Sequence, residues 1–293
     1  LDYEEQFRSA VIDDFTDSYQ NGLTPIPCVR CNEKIKFRDL YQTAKDLGAS
    51  SLITGHYVSN KSINGKRGLF RARDMNKDQS YFMFTLKKDQ LDFIKFPLGD
   101  LTKDQTRAIA SELQLINAEK PDSQDICFVQ DGKYINLINK LNPNTIGRNI
   151  LNISGEVLGQ HDGIANYTIG QRRGLGYASG EPNYVVDINH IKNEITIGAK
   201  EYLQTRVIYL KDVNWLGPNQ LPADEFEFPM FVKVRSTSNP VPATFKRHEG
   251  LTSIKFNNPE FGISPGQACV FMNLTKLIKV LGGGWIIRNK ITP

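Results

Sequence analysis

Two cysteines stand close together near the start of the chain, where a helix is expected to begin. Cys28 and Cys31 form a Cys-x-x-Cys pair, and Gly22, Pro25 and Pro27 come just before it. Unpaired N–H groups and the helix dipole at a helix start favour the thiolate, which is the nucleophilic form of cysteine. The pair is therefore a candidate nucleophilic site, although a free cysteine is more often a small buried side chain.

The other two cysteines stand alone in the sequence. Cys127 lies in a short apolar run at 126–129, which predicts a strand or its end, and Cys269 lies in a predicted strand where burial is its expected role. Neither has a second His or Cys at the spacing that zinc sites use, so the pattern disfavours zinc and predicts no metal ligands. Cys127 is close to where sites collect at strand ends, and two distant thiols of one domain can meet to exchange electrons or sulfur.

Three further polar groups suit ligand binding, and each has an ordinary alternative as solvated surface. Gly55 and His56 follow an apolar run, so the glycine could admit a ligand to the backbone while the histidine points into a site. Lys77 and Gln79 suit a phosphate and a base edge. The glycine-rich segment 155–176 carries adjacent arginines that suit an RNA backbone, and we interpret it as a functional loop between domains.

The elements that position these groups change character along the chain. Helical spacing predicts helices over 3–19 and 32–47, and a Thr–Gln capping box predicts a third over 102–113. Because helices alternate with short strands up to about residue 140, the first part predicts an α/β layer with a parallel sheet. Beyond it, short β-branched runs separated by Gly, Asn and Pro predict a β-barrel.

Composition limits the class of protein. The chain has 293 residues, with 36 Lys and Arg against 32 Asp and Glu, a net charge of +4 that permits a local basic face for nucleic acid. Four cysteines are too few for a disulfide framework, so a reducing, cytoplasmic location is expected. No apolar run reaches the ~18 residues of a membrane span. The sequence opens without Met inside a predicted helix, and we expect it to begin within a longer protein.

Several strings occur together in an order that is specific. The chain resembles the bacterial tRNA-specific 2-thiouridylases of the MnmA/TrmU type over essentially its whole length. The strings that carry the resemblance are Gly22-Leu-Thr-Pro-Ile-Pro-Cys-Val-Arg-Cys-Asn-Glu-Lys-Ile-Lys-Phe37, Thr54-Gly-His-Tyr57, Asn76-Lys-Asp-Gln-Ser-Tyr-Phe82, Ser123-Gln-Asp-Ile-Cys-Phe128, Gly159-Gln-His-Asp-Gly163, Tyr167-Thr-Ile-Gly-Gln-Arg-Arg-Gly-Leu-Gly176, Pro265-Gly-Gln267 and Leu281-Gly-Gly-Gly284.

The resemblance implies a fold and a reaction. The fold is a PP-loop domain of the adenine nucleotide α-hydrolase kind with a parallel sheet, expected at 1–143, a small central tRNA-binding domain at 144–205 and a C-terminal β-barrel at 206–293. The implied reaction uses ATP, with Mg²⁺, to adenylate the C2 oxygen of the wobble uridine in the tRNAs for Lys, Glu and Gln. A persulfide sulfur, delivered by a sulfur-relay protein or a cysteine desulfurase, then replaces that oxygen.

The same resemblance implies roles for single residues. Cys127 would carry the persulfide, Cys31 would be the nucleophile that forms a disulfide with it, and Gly55 would contact the nucleotide. The implied contacts to tRNA, including those at the target base, are Ile26, Pro27, Cys28, His56, Lys77, Asp78, Gln79, Arg235, Ser236 and Gln267.

Two departures from the family pattern leave alternatives open. Many members have Asn-Pro-Asp where this chain has Ile26-Pro27-Cys28, so a thiol replaces an Asp and could compete for Cys127 or resolve its disulfide. The PP-loop string Ser-Gly-Gly-Val-Asp-Ser is absent, and it would precede Leu1, so we expect this chain to bind ATP poorly and to lack activity alone. The alternatives are a non-catalytic tRNA-binding protein and a thiol oxidoreductase built on the Cys-x-x-Cys pair.

Overall fold

The structure is a computed structural model that covers most of the chain. It describes residues 1–122, 126–129, 134–141, 147–177, 180–217, 220–221, 225–274 and 278–288. No helix among these residues is long and apolar enough to cross a bilayer.

Two long helices form the start of the N-terminal domain, and each changes its winding along its length. The first runs through α1 (Glu4–Phe7), a π-helical segment (Arg8–Asp13) and α2 (Asp14–Gln20). The prediction of a helix over 3–19 is therefore confirmed.

The second long helix begins earlier than its predicted start at 32. It runs through α3 (Pro27–Arg30), a π-helical segment (Cys31–Asp39) and α4 (Leu40–Asp46). Proline is favoured in the first helical position because its fixed φ suits a helix and its missing N–H would have had no partner there. Both cysteines of the Cys-x-x-Cys pair consequently lie inside the helix.

The strands of the N-terminal domain are short. A parallel pair joins β1 (Leu52–Ile53) to β4 (Ile94–Lys95), as the α/β pattern predicts. Between them β2 (Val58–Ile63) and β3 (Lys66–Arg71) form a hairpin whose turn residues, Asn64 and Gly65, both have positive φ, the conformation that an Asn-Gly turn supplies. The remaining helical elements are 3₁₀ turns at Ser80–Met83 and Pro97–Asp100, and helices α5 (Gln90–Phe93), α6 (Lys103–Glu112) and α7 (Tyr134–Leu141).

The central domain is a four-stranded sheet with its own apolar core. Its strands are ordered β6-β5-β8-β7 and comprise β5 (Asn149–Leu151), β6 (Val157–Gln160), β7 (Tyr184–Asn189) and β8 (Glu194–Gly198). A 3₁₀ turn at Ile164–Asn166 follows β6.

The interpretation of 155–176 as a loop between domains is wrong. That segment contains β6, and Ile164, Tyr167 and Leu175 are buried in the core of the central sheet. Its glycines therefore shape connections within a domain, because the intervening apolar side chains hold the segment to the sheet.

Six antiparallel strands form the closed C-terminal barrel, after a 3₁₀ turn at Lys200–Leu203. The barrel closes because β13 pairs with both β10 and β14. The strands are β9 (Gln204–Trp215), β10 (Phe226–Lys233), β11 (Val241–His248), β12 (Leu251–Phe261), β13 (Ala268–Leu274) and β14 (Ile278–Ile287).

The barrel is joined to the N-terminal domain by backbone and side-chain contacts. Strand β14 pairs with β3 as well as with its barrel neighbours, so one continuous sheet runs from the hairpin into the barrel. Nδ2 of Asn214 on β9 donates to the carbonyl oxygens of Phe84 and Leu86 at 2.6 and 2.7 Å. Within the barrel, Gly282 of β14 has φ of +123°, and a Cβ there would collide with the backbone of Asn214 on β9, so glycine permits these two strands to approach closely. The domains are therefore fixed relative to one another at this seam.

Candidate active site

Three of the four cysteines line one cavity in the N-terminal domain. The cavity has a volume of about 460 Å³, and Cys28, Cys31 and Cys127 all contribute to its wall. We call it the thiol cavity. Its other lining residues are Phe7, Val11, Pro27, Asn32, Lys36, His56, Gln79, Phe82, Ile126 and Phe128. None of the four cysteines forms a disulfide in this structure.

The second long helix positions two of these thiols and one cation. Cys28 and Cys31 are three residues apart, a spacing that places side chains on one face of a helix. From Cys31 onward the helix winds with i to i+5 hydrogen bonds, as the bond from the Leu40 N–H to the Ile35 carbonyl shows. Residues five apart then lie near the same side, and Lys36 lines the cavity together with Cys31.

Cys127 is held by its two apolar neighbours. The prediction of a strand over 126–129 is wrong, because these residues form a turn that is closed by a hydrogen bond from the Val129 N–H to the Ile126 carbonyl at 2.9 Å. The Phe128 ring contacts Phe7 and Phe15 of the first long helix edge-on, with centroid distances of 5.9 and 5.4 Å. This anchoring leaves Cys127 exposed at the cavity.

Lys36 is the charged group of the cavity, and His56 is neutral beside it. Lys36 Nζ lies 3.3 Å from Nε2 of His56, and Thr54 Oγ1 lies 2.7 Å from Nδ1. Burial, with a smaller contribution from the Lys36 charge, lowers the pKa of His56 to about 3. Because an ammonium group only donates, Nε2 accepts and the ring proton resides on Nδ1, which donates to Thr54.

The cavity affects its two helical thiols differently. Partial desolvation is the main cause that raises the pKa of both Cys28 and Cys31. The next influence on the pKa of Cys28 is Cys127, whose negative charge raises it, whereas at Cys31 it is Lys36, whose positive charge lowers it. Lys36 is therefore the main charged influence on Cys31 and favours its thiolate. Cys127 is the main charged influence on Cys28 and disfavours its thiolate.

Cys269 has no place in this chemistry. It is fully buried in the barrel core on β13, and burial raises the pKa of its thiol far above the usual range. Its expected role as a buried side chain agrees with this position.

Comparisons with known proteins agree with this division of the chain. Residues 1–131 match the family model described as "tRNA methyl transferase HUP domain", residues 136–199 match "tRNA methyl transferase PRC-barrel domain", and residues 205–286 match "Aminomethyltransferase beta-barrel domain". Proteins named tRNA-specific 2-thiouridylase MnmA are similar along the whole chain. The relative from Parvibaculum lavamentivorans is 48% identical, over 99% of this chain and 74% of its own length. The chain belongs to the MnmA family of tRNA-specific 2-thiouridylases.

Further MnmA relatives give the same result. The one from Brucella ovis is 48% identical over 100% of this chain and 74% of its own length, and the one from Sinorhizobium fredii is 47% identical over 100% and 76%. The MnmA-type fold implied by the sequence is confirmed: a HUP domain with a parallel sheet, a small central domain and a closed barrel. The predicted boundaries at 143/144 and 205/206 stay predictions.

The residues expected to contact tRNA near the base lie at the cavity or next to it. Pro27, Cys28, His56 and Gln79 line the thiol cavity, while the Ile26 side chain is buried against a neighbouring cavity. The Gln79 side chain is held by the backbone just before β2, because its Oε1 accepts from the Tyr57 N–H at 2.9 Å.

The two residues before Gln79 differ in what they offer to a ligand. Lys77 is partly exposed and pairs with Asp122 at 2.7 Å. Asp78 is 1% exposed, pairs with Arg71 at 2.7 Å and accepts from the Ala72 and Ser80 N–H groups and from the Ser80 hydroxyl. The Asp78 carboxylate thus organises the loop that carries Lys77 and Gln79.

The expected tRNA contacts on the barrel lie away from the thiols. Gln267 donates through Nε2 to the Thr24 carbonyl at 3.0 Å, just before the Cys-x-x-Cys helix. Arg235 donates to the Gly262 carbonyl and, at 3.1 Å, to the Phe261 carbonyl, and Ser236 next to it is exposed. None of these three side chains lines the thiol cavity.

Sequence reasoning missed Lys36 as part of the site. Its identity was visible in the Ile-Lys-Phe string, but its place beside Cys31 depends on π-helical winding that no spacing rule predicts. In the described part of the chain, no group of three or more His, Cys, Asp or Glu side chains is arranged to hold a metal ion.

Proposed function

We propose that this protein replaces the C2 oxygen of the wobble uridine in tRNA with sulfur, in an ATP-dependent reaction on the tRNAs for Lys, Glu and Gln. The observation that carries the proposal is the meeting of Cys31 and Cys127 in one cavity beside Lys36. The sulfur comes from a persulfide on Cys127, which a sulfur-relay protein or a cysteine desulfurase supplies.

The thiols have complementary positions for this transfer. Cys127 is exposed on a turn, where a protein donor can reach it, and Cys31 is half-buried in the wall of the same cavity. The Cys31 thiolate attacks the inner sulfur of the Cys127 persulfide, forms a Cys31–Cys127 disulfide and expels hydrosulfide into the cavity. Hydrosulfide is then released into the cavity, next to the uridine.

Lys36 supports this step by electrostatics. Its ammonium group stabilises the attacking thiolate, and it faces a neutral His56, which adds no positive charge. An anion released in the cavity is also attracted to Lys36.

Gly55 offers a contact for the nucleoside end of a nucleotide. Gly55 is exposed at the carboxyl end of β1, the edge at which ligands bind in open α/β sheets, and a Cβ there would meet only the Leu98 side chain at 3.7 Å. Gly55 is therefore the proposed contact for the nucleoside part of ATP, and Mg²⁺ would accompany the phosphates. When bound, ATP would supply the adenylyl group that makes the C2 oxygen a leaving group.

RNA contacts are proposed for two places. Pro27, Cys28, His56 and Gln79 would surround the target base at the cavity. Lys77, which is partly exposed and ion-paired with Asp122, would contact RNA two residues before Gln79. On the barrel, Arg235, Ser236 and Gln267 would contact the rest of the tRNA. We propose a cytoplasmic location, where tRNA and a reducing environment coexist.

The test compares single cysteine variants in sulfur transfer to tRNA. A full-length version of the protein is purified and given ATP, tRNA for Glu and a desulfurase with labelled cysteine, and label in the tRNA is measured. Cys127→Ala and Cys31→Ser each abolish labelling, while tRNA binding in a gel shift is retained. Persistent labelling of tRNA by Cys127→Ala would show that the sulfur takes another route.

The alternatives give different results in the same preparation. A non-catalytic tRNA-binding protein gives the gel shift with no labelling in the unmodified sequence. A general thiol oxidoreductase reduces insulin disulfides without tRNA or ATP, and its rate falls in Cys28→Ser and Cys31→Ser but not in Cys127→Ala.

A further inference from the structure

A buried lysine lies where the barrel meets the N-terminal domain, outside the thiol cavity. Lys233 is the last residue of β10 and is 5% exposed. In the part of the chain that the structure describes, it forms no ion pair and its Nζ has no hydrogen-bond acceptor, while the centroid of the Tyr81 ring lies 6.0 Å from Nζ. An ammonium group in this position has lost hydration without gaining an equivalent interaction.

The carboxylate of Asp78 acts on Lys233 from a distance, because its oxygens are already occupied. Its Oδ2 accepts from Nε of Arg71 and from the Ser80 hydroxyl, and its Oδ1 accepts from the N–H groups of Ala72 and Ser80. A carboxylate offers about four lone-pair positions, so none is left for a direct bond from Lys233. Asp78 therefore neutralises Arg71 and leaves the charge of Lys233 uncompensated.

Two other cations lie near this ammonium group. Burial is the main cause that lowers the pKa of Lys233, the Arg71 charge lowers it further, and the Asp78 charge opposes this shift with a smaller effect. Burial raises the pKa of Tyr81, and the charge of Arg235 is among the influences that oppose that rise, so Arg235 is close to the same ring. Among these charged groups the positive charges outnumber the negative ones, and an anion is the missing partner.

We propose that Lys233, together with Arg235, binds a phosphodiester group of the tRNA backbone. This inference rests on the proposed function, which makes tRNA the ligand. A phosphodiester carries one negative charge, and its oxygens accept from both an ammonium and a guanidinium group, so it supplies the charge and the acceptor that Lys233 lacks. Nζ retains contact with solvent, so a phosphate oxygen can reach it.

The position of Lys233 fits a strand of RNA that extends from the target base to the barrel. Gln79 lines the thiol cavity and precedes Tyr81 by two residues, and the Tyr81 ring faces Lys233. Arg235 and Ser236 follow Lys233 on the barrel. Because Lys233 is already largely desolvated, it loses little further hydration when it binds a phosphate, and we expect it to contribute more than an exposed lysine does.

The proposal predicts opposite effects of one substitution on stability and on binding. Lys233→Met keeps an unbranched side chain and removes the charge. In a full-length version of the protein it should leave the midpoint of urea unfolding unchanged or raise it, because an uncompensated buried charge is removed. It should weaken tRNA binding about tenfold at fixed salt and reduce the slope of log affinity against log salt by about 0.7 to 0.9.

Two further variants control this measurement. Lys246→Met removes the same charge from an exposed position on β11, where Lys246 lies 4.0 Å from Glu227, and it should change neither the affinity nor the slope. If Lys233 and Arg235 bind one phosphate, the double variant Lys233→Met/Arg235→Gln should lose less affinity than the sum of the two single losses. Additive losses would show that the two residues do not share a phosphate.

A second measurement needs no variant. The full-length protein of unmodified sequence is acetylated with acetic anhydride alone, with tRNA or with ATP, and the modified lysines are identified by mass spectrometry. Lys233 should be acetylated in the free protein and protected about tenfold by tRNA, whereas Lys246 should be acetylated equally in all three samples. Protection of Lys233 by ATP alone would assign the phosphate to the nucleotide and overturn the assignment to RNA.

The outcomes separate this inference from the proposed function. Unchanged tRNA affinity and salt slope in Lys233→Met, or equal acetylation of Lys233 with and without tRNA, would overturn the phosphate site while tRNA binding itself stands. A lack of acetylation of Lys233 in the free protein would show that no anion reaches it and would overturn the site as well. If the unmodified sequence does not bind tRNA, the proposed function and this inference both fail.

Discussion

The neutral state of His56 makes a quantitative prediction about stability. A histidine has a pKa near 6.5 when unfolded, and in the fold the pKa of His56 is about 3. Between these two pKa values the unfolded chain binds one more proton than the folded chain. The free energy of unfolding therefore decreases as the pH is lowered from 6.5 to 3. At pH 7 the histidine is mostly neutral in both states, so the free energy of unfolding is close to its full value. At pH 5 the free energy of unfolding is lower by about 2 kcal/mol.

The assay compares urea unfolding at pH 7 and pH 5 in the unmodified sequence and in His56→Gln. Glutamine retains an acceptor for Lys36 and has no proton to gain in this range. The variant should therefore lose about 2 kcal/mol less than the unmodified sequence over the same change of pH. His190→Gln, at an exposed position, is the matched control for removal of an imidazole and should behave like the unmodified sequence.

Nuclear magnetic resonance gives a direct second test. The chain has four histidines, so their ring signals can be assigned by single substitution. The His56 signal should stay that of the neutral ring with the proton on Nδ1 down to pH 5. A His56 signal that titrates near pH 6.5, or equal pH dependence of stability in His56→Gln, would refute the argument that His56 is neutral beside Lys36.

Three further predictions concern the cation, the loop and the RNA. Lys36→Met should slow alkylation of Cys31 at pH 7 about fivefold, because roughly 1 kcal/mol of thiolate stabilisation is lost across a partly solvated cavity, and Lys34→Met on the same helix should not. Asp78→Ala should lower the free energy of unfolding by about 3 kcal/mol in urea, because it leaves buried Arg71 without its partner, whereas exposed Asp104→Ala should change it little. Arg172→Gln and Arg173→Gln, at exposed positions, should each reduce the slope of log affinity for tRNA against log salt by about 0.7 to 0.9 if they contact phosphate, and an unchanged slope would exclude both contacts.

The sequence predicts correctly those turns and helix ends that are determined by a few neighbouring residues. The hairpin at Asn64-Gly65 and the Thr102–Gln105 capping box both form as the sequence indicates, because turn dihedrals and caps are decided within four residues. The α/β layer and the barrel followed from a change in periodicity that extends over many residues. These signals need no knowledge of distant contacts.

The predictions from sequence failed where the conformation depends on packing against distant parts of the chain. The run at 126–129 is apolar because its alternate side chains pack on the first helix, and that pattern is the same as the one expected for a strand. Strand β11 is hard to recognise in the sequence because Pro242 and two basic residues hide its alternation, although Ala243 and Phe245 are buried in the barrel core. The burial of Asp78 depends on its ion pair with Arg71 at the end of β3, and a polar loop gives no sign of it.

The shared sheet at β3 and β14 has a consequence for how the barrel can be handled. The face of the barrel near this seam contributes Ala268, Val270, Met272 and Val280 to the same apolar core as the N-terminal helices. An excised barrel would therefore expose an unpaired strand edge beside fresh apolar surface, the combination that drives aggregation. The barrel is a recognisable unit of sequence, but its solubility depends on the domain against which it folds.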